Sequence, residues 1–202
     1  MNRKTTKKTA RKSKTSGVSR TVRLLKGVLS SEETAIDLLK AQHEEVKALF
    51  KRIEKASTRA AKTKLFDTLA ANLVAHDAIE RELFYPACER AMGMTDLLGE
   101  ALVEHGFVEF GLYQADQARS EQDFPFKCQV LSEIVEHHVK EEEEDFFPKV
   151  QKALGKEKLV KLGARMKQRF EEAKAEDFRP PLYGNLKQVL AGALKPVKRR
   201  AA

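Results

Sequence analysis

Apolar residues in this chain recur in alternating steps of three and four, and each run of that rhythm is bounded by residues that start or stop a helix. The first run carries Ile36, Leu39, His43, Val46, Phe50 and Ile53. Before it stands Ser30-Ser31-Glu32-Glu33, where Ser30 as cap and Glu33 three places on predict a capping box. After a turn near 57–61 the second run holds Phe66, Leu69, Leu73, His76, Glu80 and Leu83, and is predicted to stop near Pro86. A third helix is predicted from about Thr95 to Ser120, with Leu98, Leu102, His105 and Leu112 facing inward. Asp123 to Pro125 marks the next break, and a fourth helix carries Leu131, Val135, His138 and Glu142 before Pro148. Residues 156–176 keep the rhythm at Leu159, Leu162, Met166 and Phe170. They break at Arg179-Pro180-Pro181 and leave Leu182 to Leu194 for a short last helix.

Four helices of about 25 residues with short links predict an all-α, up-down-up-down four-helix bundle with a C-terminal helical extension. The expected division is a basic disordered tail over 1–29, the bundle over 30–150, the extension over 151–194 and a second basic tail over 195–202.

Histidine occupies an inward slot in every one of the four helices. His43 and His76 lie at closely matching distances either side of the first turn. The same holds for His76 and His105 about the second turn, and for His105 and His138 about the third. At about 1.5 Å of rise per residue, all four imidazoles arrive within a turn or so of one level.

An internal repeat strengthens the pattern. One and the same interval separates His43 from His105, His76 from His138, Glu80 from Glu142, and Pro86 from Pro148. The repeated block reads HDAIERELFYP at 76–86 and HVKEEEEDFFP at 138–148, and the chain has only five histidines. The remaining one, His137, also keeps helical rhythm. The distance from His138 to Pro148 equals that from His76 to Pro86, and this selects His138 as the equivalent of His76.

The pairs His76/Glu80 and His138/Glu142 stand at i,i+4, so each sends both side chains to one face of its helix. Buried carboxylates are costly unless paired or metal-bound. Two glutamates entering from opposite repeats can each bridge two metal ions while the histidines cap the ends. Imidazole and carboxylate without thiolate suit iron or manganese, and accommodate zinc. Apart from Glu142, the acids of Glu141–Asp145 are expected on a solvated face or as partners of imidazole nitrogens. Tyr85 and Tyr113 are candidates to line the pocket, with core packing as the plainer role, and Lys47 is expected to point outward.

Composition adds bounds. The 202 residues suit one domain with extensions, 42% of them apolar and 34% charged. The net charge of +8 is segregated: residues 1–27 hold ten Lys or Arg and no acid, and 195–202 hold four more. The body keeps 24 basic residues against all 30 acids, a net of −6. A basic arm of this kind either holds nucleic-acid phosphates without reading sequence or serves as a solubilising tail. No stretch approaches the roughly 20 apolar residues of a membrane span, and the N-terminus carries no apolar signal-peptide core. Cys88 and Cys128 match no metal or redox spacing, which points to packing roles and a cytoplasmic setting.

The chain resembles the hemerythrin-like HHE cation-binding domains, through HEEVKALF at 43–50, HDAIERELFYP at 76–86, EALVEHG at 100–106 and EHHVKEEEEDFFP at 136–148. The resemblance covers roughly 30–170. It implies a non-haem pair of iron ions, with His43 and His76 on one iron, His105 and His138 on the other, and Glu80 and Glu142 bridging. In hemerythrin a second histidine follows the helix-three histidine by one turn. Here that place is Glu109, which would complete the second iron's shell and argues against reversible dioxygen carriage. The implied role is binding a small diatomic ligand or peroxide in sensing, redox response or iron handling. The alternatives are a peroxide-disproportionating or oxidase-type enzyme at the same metals, or a metal bundle carried to nucleic acid by the basic tail. No separate nucleophile or acid–base set appears elsewhere, so any catalysis must be metal-based.

Overall fold

The computed structural model describes residues 33–118 and 122–192. Ser30, the 1–29 tail and the 195–202 tail lie outside the described residues. The helices are α1 (Ala35–Lys55), α2 (Arg59–Ile79), α3 (Tyr85–Met92), α4 (Asp96–Asp116), α5 (Asp123–Glu141), α6 (Phe147–Lys174) and α7 (Arg179–Leu190). Two π-helical turns, Glu80–Phe84 and Glu142–Phe146, join α2 to α3 and α5 to α6.

The capping box of α1 is built by Thr34 and Asp37, one turn beyond the expected Ser30 and Glu33. The Thr34 side chain accepts from the Asp37 N–H, and the Asp37 carboxylate accepts from the Thr34 N–H at 3.0 Å. Burial begins at Ala35 and Ile36, so the cap sits against the first residues that packing holds in place.

The expected stops at Pro86 and Pro148 are overturned. Proline lacks an N–H and its ring crowds the carbonyl one turn back. The chain absorbs both defects by widening one turn ahead of each proline: Tyr85 N–H reaches Glu80 O, and Phe147 N–H reaches Glu142 O. Each proline then lies in the first turn of the following helix, where no N–H is needed. The fourth bundle helix therefore runs on until Gly155, whose φ of 72° and ψ of 162° break α6 into 147–154 and 156–174. Pro180 and Pro181 likewise open α7 instead of interrupting it.

Helix α1 packs on α2, α5 and α6, α2 also meets α6 and α4, and α4 packs on α5 and α7. Close seating of α6 on the start of α1 depends on Gly163, where a Cβ would lie 2.8 Å from Ala35 N and 2.9 Å from Thr34 C. Two apolar clusters fill the interior. One contains Leu39, Ile79, Leu102 and Phe84, Phe146 and Phe147; the other contains Val46, Leu73, Leu112 and Val135. Each fully buried side chain of this kind contributes about 1.5–3 kcal/mol. Along α1, α2 and α4, and from α5 into the π turn that follows it, the seam passes from one cluster to the other, and a buried polar layer lies at the crossing. Among the described residues no helix is long and apolar enough to cross a membrane.

Candidate metal centre

The polar layer contains His43, His76, Glu80, His105, Glu109, His138 and Glu142, all buried, with Gln42, Asp77 and Arg81 beside them. One histidine comes from each of α1, α2, α4 and α5, as the heights along the helices require. Glu80 and Glu142 each open a π turn. Each still stands one regular turn past its histidine, Glu80 N–H bonding His76 O and Glu142 N–H bonding His138 O, so the widening begins only after the carboxylates.

Every imidazole is fixed through Nδ1. His43 Nδ1 lies 2.8 Å from Glu143 Oε1, His76 Nδ1 2.8 Å from Gln42 Oε1, His105 Nδ1 2.5 Å from Asp77 Oδ1, and His138 Nδ1 2.8 Å from Glu104 Oε2. Carboxylate and amide oxygens only accept, so Nδ1 carries the proton in each ring. In the neutral ring Nε2 then carries the free lone pair, and all four Nε2 atoms face the shared layer.

Glu80 Oε2 sits 3.1 Å from His76 Nε2 and 3.2 Å from His105 Nε2. Glu142 Oε2 sits 3.4 Å from His43 Nε2 and 3.6 Å from His138 Nε2. Each glutamate thus reaches a histidine of either repeat. Donor atoms of His43, His76, Glu80 and Glu142 lie within 4.8 Å of one another, and so do those of Glu80, His105 and His138. These are two adjacent candidate cation positions sharing Glu80.

The residues fit a cation. Both Glu80 oxygens, Glu142 Oε2 and His43 Nε2 are buried and have no hydrogen bond. Buried polar atoms left this way cost free energy, and a metal would satisfy all of them at once.

Charge is concentrated here. Burial opposes the charged form of Glu80, yet His76 and His105 hold its carboxyl well below the usual carboxylate range. Burial also opposes His105, but its bond to Asp77 and the negative charge of Glu80 beside it outweigh that and push it up to about 10. His43 is raised too: burial is overcome by Glu142, Glu80 and Glu143. Burial and the charge of Asp77 push Glu109 up to about 7, against the pull of Arg81, His105 and Asn185.

Six of the seven expected ligands therefore meet. Glu109 lies one turn past His105 on the wall of a small cavity beside the layer, with Oε1 3.5 Å from Arg81 Nη2, and stands outside both donor groups. Tyr85 exceeds the packing role expected of it: its hydroxyl lies 2.8 Å from His105 Nε2 and donates to Glu142 Oε1 at 3.0 Å. Burial, Glu142 and Glu80 hold that phenol well above its ordinary pKa. Tyr113 packs edge-on against Tyr183 instead. His137 is 64% exposed, and Lys47 points outward. Cys88 and Cys128 are free and buried.

The imidazole partners Gln42, Asp77 and Glu104 lie outside the expected set of site residues. Two of them carried a signal: Gln42 and Glu104 directly precede His43 and His105 and share the interval of the repeat. Asp77 has no such mark, because its equivalent is Val139.

Beside the layer, on the side of the Leu112 cluster, lies a largely apolar cavity of about 30 Å³. All four histidines line it together with Val46, Leu73, Val135 and Leu182. A space near the volume of a single water molecule admits a diatomic or a comparably small ligand.

A family model of the hemerythrin HHE cation binding domain matches residues 34–150. Among solved structures, the crystal structure of a hemerythrin HHE cation binding domain-containing protein from Mycobacterium kansasii is similar at a TM-score of 0.63 and 28% identity. The match covers 76% of this chain and 99% of that one. No curated protein matches the sequence.

Proposed function

The chain belongs to the hemerythrin HHE cation-binding domain family, and on that premise we propose that its bundle core holds two iron ions and binds a small ligand such as O2, NO or peroxide. His43 and His76 would hold one iron, His105 and His138 the other, with Glu80 and Glu142 between them. The single observation that carries this reading is Glu80 Oε2, set between His76 Nε2 and His105 Nε2 with no hydrogen bond of its own. When bound, iron supplies affinity for small oxygen and nitrogen species together with one-electron redox change.

The chain's own part is orientation and exclusion. Four Nδ1 bonds fix the rings, the aromatic cluster of Phe84, Phe146 and Phe147 keeps water from one side, and the small apolar cavity restricts ligand size on the other. Binding of this kind serves sensing, redox response or iron handling.

Tyr85 and Glu109 favour a second reading, peroxide disproportionation at the same site. Both can hold a proton at neutral pH, the phenol beside His105 and the carboxyl on the cavity wall. Steady O2 release from peroxide, lost in His76→Ala, is the result that selects it; stoichiometric binding without turnover excludes it.

Metal analysis of protein purified from its own host, with an absorption spectrum, tests the main reading. Two irons per chain and the near-ultraviolet charge-transfer bands of a coupled ferric pair are expected. Protein that remains colourless and takes up no iron on anaerobic loading would refute it, and stoichiometric zinc or manganese would reassign the metal.

A further inference from the structure

Helix α7 lies beyond residues 34–150, the span matched by the domain family, yet it is fastened to the bundle from the level of Asp116 to that of the polar layer. At its start Arg179 Nη2 meets Asp67 at 3.1 Å and Asp116 at 2.9 Å, and the Tyr183 hydroxyl donates to Asp116 at 2.8 Å. Leu182 is fully buried and lines the small cavity. Toward its end Val189 presses on Gly106, the neighbour of His105, so closely that a Cβ there would meet Val189 Cγ1 at 2.9 Å.

Between these anchors Asn185, half-buried, donates from Nδ2 to Asp77 Oδ2 at 3.0 Å. The other oxygen of that carboxylate, Oδ1, accepts from His105 Nδ1 at 2.5 Å and from Arg81 Nε at 2.6 Å. Asp77 is thereby held at both oxygens and cannot turn about its terminal bond. The four histidine partners, Gln42, Asp77, Glu104 and Glu143, all come from the matched domain, and the internal repeat offers Val139 where Asp77 stands. Asp77 is the partner that the C-terminal helix bonds.

We propose that α7 is part of the metal centre, and that Asn185 is a positioning residue which orients His105 through Asp77 and so sets the affinity of the His105/His138 position alone. This rests on the metal reading above. Partners of this kind typically change metal affinity by about 10–100-fold when removed. The effect should fall on one position because His43 and His76 are oriented by Glu143 and Gln42.

The test uses the full chain, with Asn185→Asp and Asn185→Ala. Aspartate keeps the shape of asparagine but has no N–H and sets a charge against Asp77. A merely space-filling role predicts a loss of stability in Asn185→Ala with metal affinity unchanged at both positions; positioning predicts weakening of the His105/His138 position in both variants. Anaerobic competition for Fe(II) against a chelator should show one of the two ions weakened about 10–100-fold in both variants. Wild-type affinity at both positions, or equal weakening of both, would overturn the proposal.

A second readout needs no metal. The His105 Nδ1–H resonance of the metal-free protein, assigned by ¹⁵N NMR, should lie far downfield in the wild type and shift or broaden in both variants. An unchanged resonance in a folded variant overturns the positioning role. A wild-type chain that takes up no metal refutes the reading beneath, while this resonance still decides what Asn185 does. Should Asn185→Asp fail to fold, Asn185→Ala carries both measurements.

Discussion

Tyr85 and Phe147 hold equivalent places in the internal repeat and present different chemistry to the metal layer. The Tyr85 hydroxyl lies 2.8 Å from His105 Nε2, whereas the Phe147 ring stacks nearly parallel on His43 with centroids 5.9 Å apart. One oxygen atom makes the two candidate cation positions unequal. The first is backed by an apolar face, the second by a phenol that reaches both His105 and Glu142.

Replacing Tyr85 with Phe should leave the fold intact and weaken metal binding by about tenfold, chiefly at the second ion beside the phenol, because its bond to Glu142 Oε1 orients that carboxylate. Loss of the buried bond to Glu142 should cost the metal-free protein about 1 kcal/mol. Chelator competition and chemical denaturation measure the two effects. Equal weakening of both ions would show that the phenol does not distinguish the positions.

Glu80→Gln and His43→Ala should differ in stoichiometry. Glu80 Oε2 lies between histidines of both positions, so removing its charge should cost both ions. His43 serves only the first group, and its loss should leave the second ion bound. Elemental analysis after anaerobic loading decides; a Glu80→Gln protein that keeps either ion at wild-type affinity contradicts the shared role.

Metal uptake should release protons. Burial alone would lower His105, but Asp77 and Glu80 raise it from 6.5 to about 10. A raised imidazole stabilises the metal-free chain fully below about pH 6.5, and that stability is lost as pH climbs through about 10. Binding must displace this proton, so affinity at the second position should rise about tenfold per pH unit between those limits. Titration calorimetry in buffers of different ionisation heat should detect proton release near pH 7.5, reduced in Asp77→Asn.

Two glycines in different surroundings give opposite expectations. At Gly163 a Cβ would meet the backbone of Thr34 and Ala35, which cannot yield as a side chain can. Gly163→Ala should destabilise by about 1–3 kcal/mol through overpacking. At Gly99 nothing lies within 4 Å of the added carbon, and Gly99→Ala should stabilise α4 by about 0.5–1 kcal/mol. Denaturant midpoints of the metal-free proteins check both signs.

The helical seams and the shared level of the four histidines were legible in the sequence because both follow from the fixed pitch and rise of the α-helix. His76/Glu80 and His138/Glu142 were legible for the same reason. The prolines misled because a local rule forbids Pro inside a helix, whereas tertiary packing sustains a π turn just ahead of Pro86 and Pro148. Glu109 was placed by resemblance to a histidine one turn past His105. In the folded chain Arg81 stands before it, a contact between α4 and the π turn after α2 that no spacing announces.

By itself the sequence determined a helical bundle and a layer of imidazole and carboxylate at one height, since periodicity and repeat spacing are properties of a single chain measured along its own axis. Only the tertiary structure decided which partner holds each ring: Glu143 for His43, Gln42 for His76, Asp77 for His105 and Glu104 for His138. It alone also turned the Tyr85 hydroxyl inward and laid Asn185 of α7 against Asp77. The physical reason is that hydrogen bonds between helices depend on how the helices rotate and approach one another, and packing of the whole core sets that rotation.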